Sequence, residues 1–285
     1  MPDTTIEEIA ANLSFGGWHK RFRHRSEVLD CDMTFAAYLP PQAETERVPL
    51  VWWLSGLTCT DENFMHKAGA QRMASKYGMA LICPDTSPRG TDLPGEHDNY
   101  DFGSGAGFYI NATERPWSNH YRMYDYVTEE LPQLAARHLP LSDRAGIFGH
   151  SMGGHGALVC ALKKPDQYQS VSAFAPICNP SASAWGQKAF SGYLGNDREA
   201  WKAWDASELI RAHGSDHHIL VDQGEADDFL AEGQLAPEAL EGACEAAGVK
   251  LELHRRPGYD HSYFFIASFI DDHLRHHARN LSDRG

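Results

Sequence analysis

The stretch RAGIFGHSMGGHGALVCALKK, residues 144–164, reads as a short apolar strand, a glycine-rich turn and a helix. At its centre stand Gly149, His150, Ser151, Met152 and Gly153, a G-x-S-x-G pattern in a strand–turn–helix context. In such an elbow the serine takes a strained backbone conformation, and the flanking glycines keep strand and helix from colliding. The Oγ is lifted above the sheet at a helix N-terminus, where peptide dipoles favour a developing negative charge. The five-residue pattern alone is weak, since a serine in a glycine-rich turn can simply cap the helix. Its setting makes Ser151 a candidate nucleophile.

Working outward, VPLVWWLSG (48–56) and MALICPD (79–85) are near-continuous apolar runs, and YQSVSAFAP (168–176) and HHILVDQG (217–224) also read as strands. Such runs mark strands buried on both faces. VKLELHRR (249–256) is a further strand, and residues around His19–His24 and Asp32–Leu39 alternate like antiparallel edge strands. Helical spacing runs through 61–78, ending at Gly78, through 121–139, where Pro132 is expected to kink the helix, and through 152–164, 237–248 and 261–278. The long Gly- and Pro-rich segment from Pro84 to about His120 is too long for a mere connection. Residues 178–215, with Trp185, Trp201 and Trp204, suggest an insertion of short helices over the sheet. Alternating strands and helices predict an α/β fold, a mostly parallel central sheet with helices on both faces, and one domain over 1–285.

The 285 residues, 42% apolar, are enough to bury a large core without metal or disulfide staples. A formal charge of −14 argues against nucleic acid or an anionic membrane as the main partner. The six cysteines, at 31, 59, 83, 160, 178 and 244, form no CxxC pair and fit reduced thiols in a cytosol. The opening segment MPDTTIEEIAANLSFGG has no apolar core of a secretory signal, and no run approaches eighteen apolar residues. A soluble, cytoplasmic protein is expected.

A serine nucleophile needs a base, and His261, after the last strand, stands where the order Ser…Asp…His places one. His273, His276 and His277 read as the polar last turn of the terminal helix, and His150 and His155 as packing neighbours of the elbow. An oxyanion hole needs two amides. Met152 supplies one, and Leu57, in the loop LSGLTCTDENF (54–64), is the best candidate for the other. The orienting acid is sought in DQGEADDFL, 222–230, which holds Asp222, Glu225, Asp227 and Asp228. Asp222 ends a strand and is expected to tie down backbone amides, and Glu225 is a turn residue facing solvent. The residues alone leave the choice open between Asp227 and Asp228, with Asp222 behind them.

Together GHSMGGHGAL, SGLTCTDENF, FYINAT, WGQKAFSGYLG, DQGEADDFL and GYDHSYFFIASFIDDHLRHHA resemble the S-formylglutathione hydrolases, the esterase D family. The resemblance runs from about residue 50 to 280 and implies an α/β-hydrolase fold, a cytoplasmic homodimer and no cofactor or metal. It implies hydrolysis of S-formylglutathione to glutathione and formate, with Ser151 as nucleophile, Asp227 as acid and His261 as base. One departure is Ala226, where the family often carries Asp; the acid three residues after Gly224 is kept. A general short-chain carboxylesterase with the same triad is the alternative.

Cys59, two positions past Leu57, reads either as a pocket-lining thiol or as a small buried hydrophobe. Trp185 and Lys188 are candidate pocket residues in the insertion. Lys67, Arg89 and Lys188 are candidate partners for glutathione carboxylates, or else solvated surface charge.

Overall fold

The computed structural model describes residues 5–282. Among these residues nine strands form one sheet: β1 (Glu7–Ser14), β2 (Gly17–Ser26), β3 (Cys31–Leu39), β4 (Val48–Leu54), β5 (Ala80–Pro84), β6 (Leu141–His150), β7 (Ser170–Phe174), β8 (Ile219–Gly224) and β9 (Leu251–Arg256). Their order is β1-β2-β3-β5-β4-β6-β7-β8-β9. The first three pairings, β1–β2, β2–β3 and β3–β5, are antiparallel and the remaining five, from β5–β4 to β8–β9, are parallel. The fold is thus α/β with a mostly parallel sheet. The interior strands β4, β5 and β7 are buried almost throughout, which explains their unbroken apolar sequence.

The helices are α1 (Asn63–Lys67), α2 (Gln71–Tyr77), α3 (Met123–Asp125), α4 (Leu131–His138), α5 (Met152–Lys163), α6 (Ala184–Leu194), α7 (Arg198–Trp201), α8 (Ala206–His213), α9 (Asp228–Ala231), α10 (Pro237–Ala247) and α11 (Tyr263–Leu281). The helix expected over 61–78 is divided: Gly69, at φ +69°, breaks it between α1 and α2. The long helix expected over 121–139 is also divided, with a wide π turn at Tyr126–Glu130 before α4. Pro132 then falls in the first turn of α4, where its missing N–H leaves no bond unmade. The expected insertion at 178–215 carries α6, α7 and α8. Among the described residues no helix is long and apolar enough to cross a membrane.

The terminal helix departs most from its sequence-based reading. His273, His276 and His277 are buried, not a solvated last turn. They pack on β7: His277 lies between the hydroxyls of Ser170 and Ser172, at 2.6 and 3.0 Å, and His276 donates to the Val171 carbonyl. Burial, and then the charge of neighbouring histidines, pushes His276 down to about 4 and His277 well below the usual imidazole range. Asp222 also departs from expectation. Its side chain holds His254 and Arg256 of β9, at 2.9 and 3.1 Å, and faces His273 at 3.4 Å, where amide capping was expected.

Candidate active site

β6 ends at His150 and α5 begins at Met152, so Ser151 alone makes the turn, at φ 57° and ψ −120°. Few residues with a side chain hold that conformation, and it persists because the surroundings fix both ends. Ser151 N–H donates to the Phe174 carbonyl at 3.0 Å, and its own carbonyl accepts from His155 N–H at 3.0 Å. The glycines are steric necessities. A Cβ on Gly153 would lie 1.9 Å from the Leu54 carbonyl oxygen, and one on Gly149 would lie 2.3 Å from the Gly153 oxygen.

The acid and base come from two loops at the carboxyl ends of β8 and β9, where α/β sheets gather their functional groups. The loops are laced together. Glu225 N–H donates to Arg256 O, Ala226 N–H donates to Tyr259 O, and a Cβ on Gly224 would come within 2.4 Å of that same Tyr259 oxygen. This close approach delivers Asp227 to His261, whose Nδ1 lies 2.5 Å from Oδ2. Gln223 Nε2 donates to the same Oδ2 at 3.3 Å, while Oδ1 accepts the amides of Phe229 and Leu230 at 2.9 and 3.4 Å. Asp227 is 2% exposed. Asp228 and Glu225 face solvent, and Asp222 is engaged elsewhere, so the structure separates four acids that the sequence crowds into one segment.

Ser151 and His261 line one cavity of about 340 Å³, together with Gly56, Leu57, Cys59 and Trp185. No direct hydrogen bond between the two is formed; such contacts commonly tighten only when substrate is bound. The His150 ring lies 4.3 Å from that of His261, and burial, then the charge of His261, drives His150 well below the usual imidazole range. The expected amides are both adjacent to the serine: Met152 follows it, and a Cβ on Gly56, next to Leu57, would lie 3.2 Å from the Ser151 Cβ. Among the described residues neither Leu57 N–H nor Met152 N–H donates to another protein group. The Leu57 loop is held in place by Tyr109 Oη donating to Ser55 O at 2.9 Å and by Thr58 N–H donating to Gly105 O at 2.9 Å.

Trp185 donates Nε1–H to Tyr100 Oη at 3.1 Å and packs 4.6 Å from the Phe229 ring, which in turn abuts His261. Cys59 lines the cavity, half-buried, and burial raises its thiol above the usual range. Lys188 is not a lining residue; it pairs with Asp101 at 2.5 Å. Arg89 also turns away, bonding Asp85, Ser104 and the Cys59 carbonyl. Lys67 lines the cavity. Sequence reasoning missed Tyr100, Phe229 and Tyr263 as lining residues. Phe229 and Tyr263 each lie two residues from a proposed triad member, but nothing local shows which way such rings point. Among the described residues one grouping has metal-ligand spacing, Asp92, Glu96 and His97, but Glu96 is already used by Tyr121 and the Leu93 amide.

The "Esterase" family model matches residues 26–276. S-formylglutathione hydrolase of Mus musculus is 57% identical over 279 residues, covering 97% of this chain and 99% of that protein. The Arabidopsis thaliana S-formylglutathione hydrolase is 54% identical, covering 97% and 98%. A solved S-formylglutathione hydrolase from Agrobacterium tumefaciens superposes with a TM-score of 0.94 at 51% identity, covering 97% of this chain and all of that one. A ferulic acid esterase at 15% identity, with a TM-score of 0.70, shares the fold alone. With a strained serine elbow, a carboxylate-bound histidine in the same cavity and full-length relatives above half identity, this chain belongs to the S-formylglutathione hydrolase family of α/β-hydrolases.

Proposed function

We propose that this chain is a serine thioesterase that hydrolyses S-formylglutathione to glutathione and formate, with Ser151, His261 and Asp227 as its triad. The observation that carries the site assignment is the 2.5 Å contact of His261 Nδ1 with the buried Asp227 carboxylate, in the cavity that holds Ser151. The identity and coverage of the relatives support the substrate.

His261 Nε2 takes the Ser151 proton as Oγ attacks the formyl carbon. The carbonyl electron pair moves to oxygen, and the oxyanion is met by the amides of Leu57 and Met152. The C–S bond then breaks, and the glutathione thiolate, whose conjugate acid has a pKa of about 8.5, takes the imidazolium proton, which returns His261 to its neutral form. Water activated by His261 attacks the formyl-serine, and formate departs as Ser151 regains its proton. Asp227 holds the imidazole tautomer through both halves. No cofactor enters any step.

A single domain carried by one continuous sheet, a cytoplasmic location and a homodimer belong to the same proposal. The location and assembly rest on family resemblance, and the location also on six unpaired cysteines. Sedimentation or light scattering reads the oligomer directly. Against a general short-chain carboxylesterase, the deciding quantity is kcat/KM on S-formylglutathione relative to an acetyl ester. Ser151→Ala should abolish thioester turnover with the fold intact, and more than a few per cent residual activity would sink the triad assignment.

A further inference from the structure

The protein carries 39 acidic against 25 basic residues, yet among the described residues no Asp or Glu side chain lines the cavity around Ser151. Among the described residues the cavity has one Lys or Arg on its wall, Lys67, at the C-terminal end of α1. Its Nζ stands over the Tyr263 ring, 5.6 Å from the centroid, a distance at which the ring face attracts a cation. Among the described residues Lys67 has no carboxylate partner within ion-pair distance. The two other basic residues that the sequence places near the mouth are both committed, Arg89 to Asp85 and Lys188 to Asp101. Tyr100, Trp185 and Phe229 form a connected aromatic part of the lining.

We propose that Lys67 is the specificity residue of this site, pairing with a carboxylate of the thiol half of the substrate. The proposal rests on the thioesterase function above and adds what distinguishes an anionic glutathione thioester from a neutral ester. In an acidic protein an anionic substrate gains nothing from the global field, which solution ions screen within about 8–10 Å. A single unpaired ammonium on a carboxylate-free wall supplies the local attraction. Tyr263 attracts the ammonium itself at the cavity wall, so less side-chain freedom is lost on binding.

The test compares Lys67→Ala with wild type on S-formylglutathione and on the neutral thioester S-formyl-N-acetylcysteamine. The ratio of the two kcat/KM values should move about tenfold against the glutathione thioester, chiefly through KM. That lies between the effect of an exposed ion pair and that of a buried charged hydrogen bond. Lys67→Glu should move the ratio further, and Lys67→Arg should largely restore it. An unchanged ratio in Lys67→Ala overturns the proposal. Inhibition of aryl acetate hydrolysis by S-methylglutathione separates the two levels of inference. If wild type is not inhibited, glutathione recognition itself fails. If wild type and Lys67→Ala are inhibited alike, only the role of Lys67 fails. S-methylglutathione esterified at its glycine carboxylate identifies which carboxylate is read: insensitivity of its inhibition to Lys67→Ala assigns the glycine end, and continued sensitivity assigns the γ-glutamyl end.

Discussion

His261 donates from Nδ1 to Oδ2 of Asp227 across 2.5 Å, while the other oxygen of that carboxylate is held by the amides of Phe229 and Leu230. The carboxylate is therefore fixed from the backbone side and presents one oxygen to the imidazole. Asp228, one residue on, points to solvent.

Asp227→Asn should lower kcat roughly a thousandfold or more, because an amide in that place can donate where it must accept and so favours the wrong imidazole tautomer. Asp228→Asn should stay within about twofold of wild type, as a solvated side chain that touches neither partner. Steady-state kinetics on both variants decide it. A crippled Asp228→Asn beside an active Asp227→Asn would reverse the assignment.

Ser151 stores backbone strain at φ 57° and ψ −120°. Replacing it by Ala or Gly removes the nucleophile in either case, but only glycine also relieves the strain. Strain of about 1–3 kcal/mol, set against the extra unfolded-state freedom of glycine, leaves Ser151→Gly roughly 1 kcal/mol more stable than Ser151→Ala. Urea unfolding of the two inactive proteins measures the difference. Equal midpoints would mean that the elbow holds no such strain.

The Cys59 thiol is raised by burial, with a smaller opposing contribution from Tyr263. Alkylation needs the thiolate, so inactivation by iodoacetamide should be slow at neutral pH and accelerate through and above the usual thiol range near about 8.5. Because Cys59 lines the cavity, the adduct should block turnover. Cys59→Ser should resist the reagent; inactivation of that variant at the wild-type rate would place the sensitive thiol elsewhere.

Burial lowers His155 to about 4, and burial with neighbouring imidazoles does the same for His276. Unfolded histidines take up protons below about 6.5, whereas these remain neutral in the folded protein until about pH 4. Protons thus favour the unfolded chain inside that window. Stability is fully present above about 6.5 and is lost as pH falls, by about 2 kcal/mol for each of the two groups at pH 5. Urea titrations at neutral pH and near pH 5 test this, and a constant midpoint would contradict neutral burial.

The elbow was legible in the sequence because its requirements are local. A G-x-S-x-G turn between strand and helix needs glycine where a Cβ on residue 149 would strike the Gly153 carbonyl oxygen, a contact made within the turn itself. Alternating buried strands and helices likewise announced the parallel sheet, since each run had to be apolar to sit between two layers. What lay between loops was not local. Asp227 and Asp228 differ by one position in the chain, and the lacing of the β8 and β9 loops decides which one meets His261. Family resemblance named Asp227; from the residues alone both acids stayed open. His273, His276 and His277 read as a polar helix end, because their partners Ser170, Ser172 and Val171 sit about a hundred residues away on β7. The same holds for the three cations near the mouth. Asp85 and Asp101 pair with Arg89 and Lys188 through the folding of a long loop, and only tertiary structure left Lys67 on the cavity wall without an acid. Sequence by itself determined the elbow at Ser151 and the layers that carry it, through short-range sterics and hydrophobic period. Tertiary structure decided which acid meets His261 and which acid takes up Lys188, because those contacts join residues 34 and 87 positions apart in the chain.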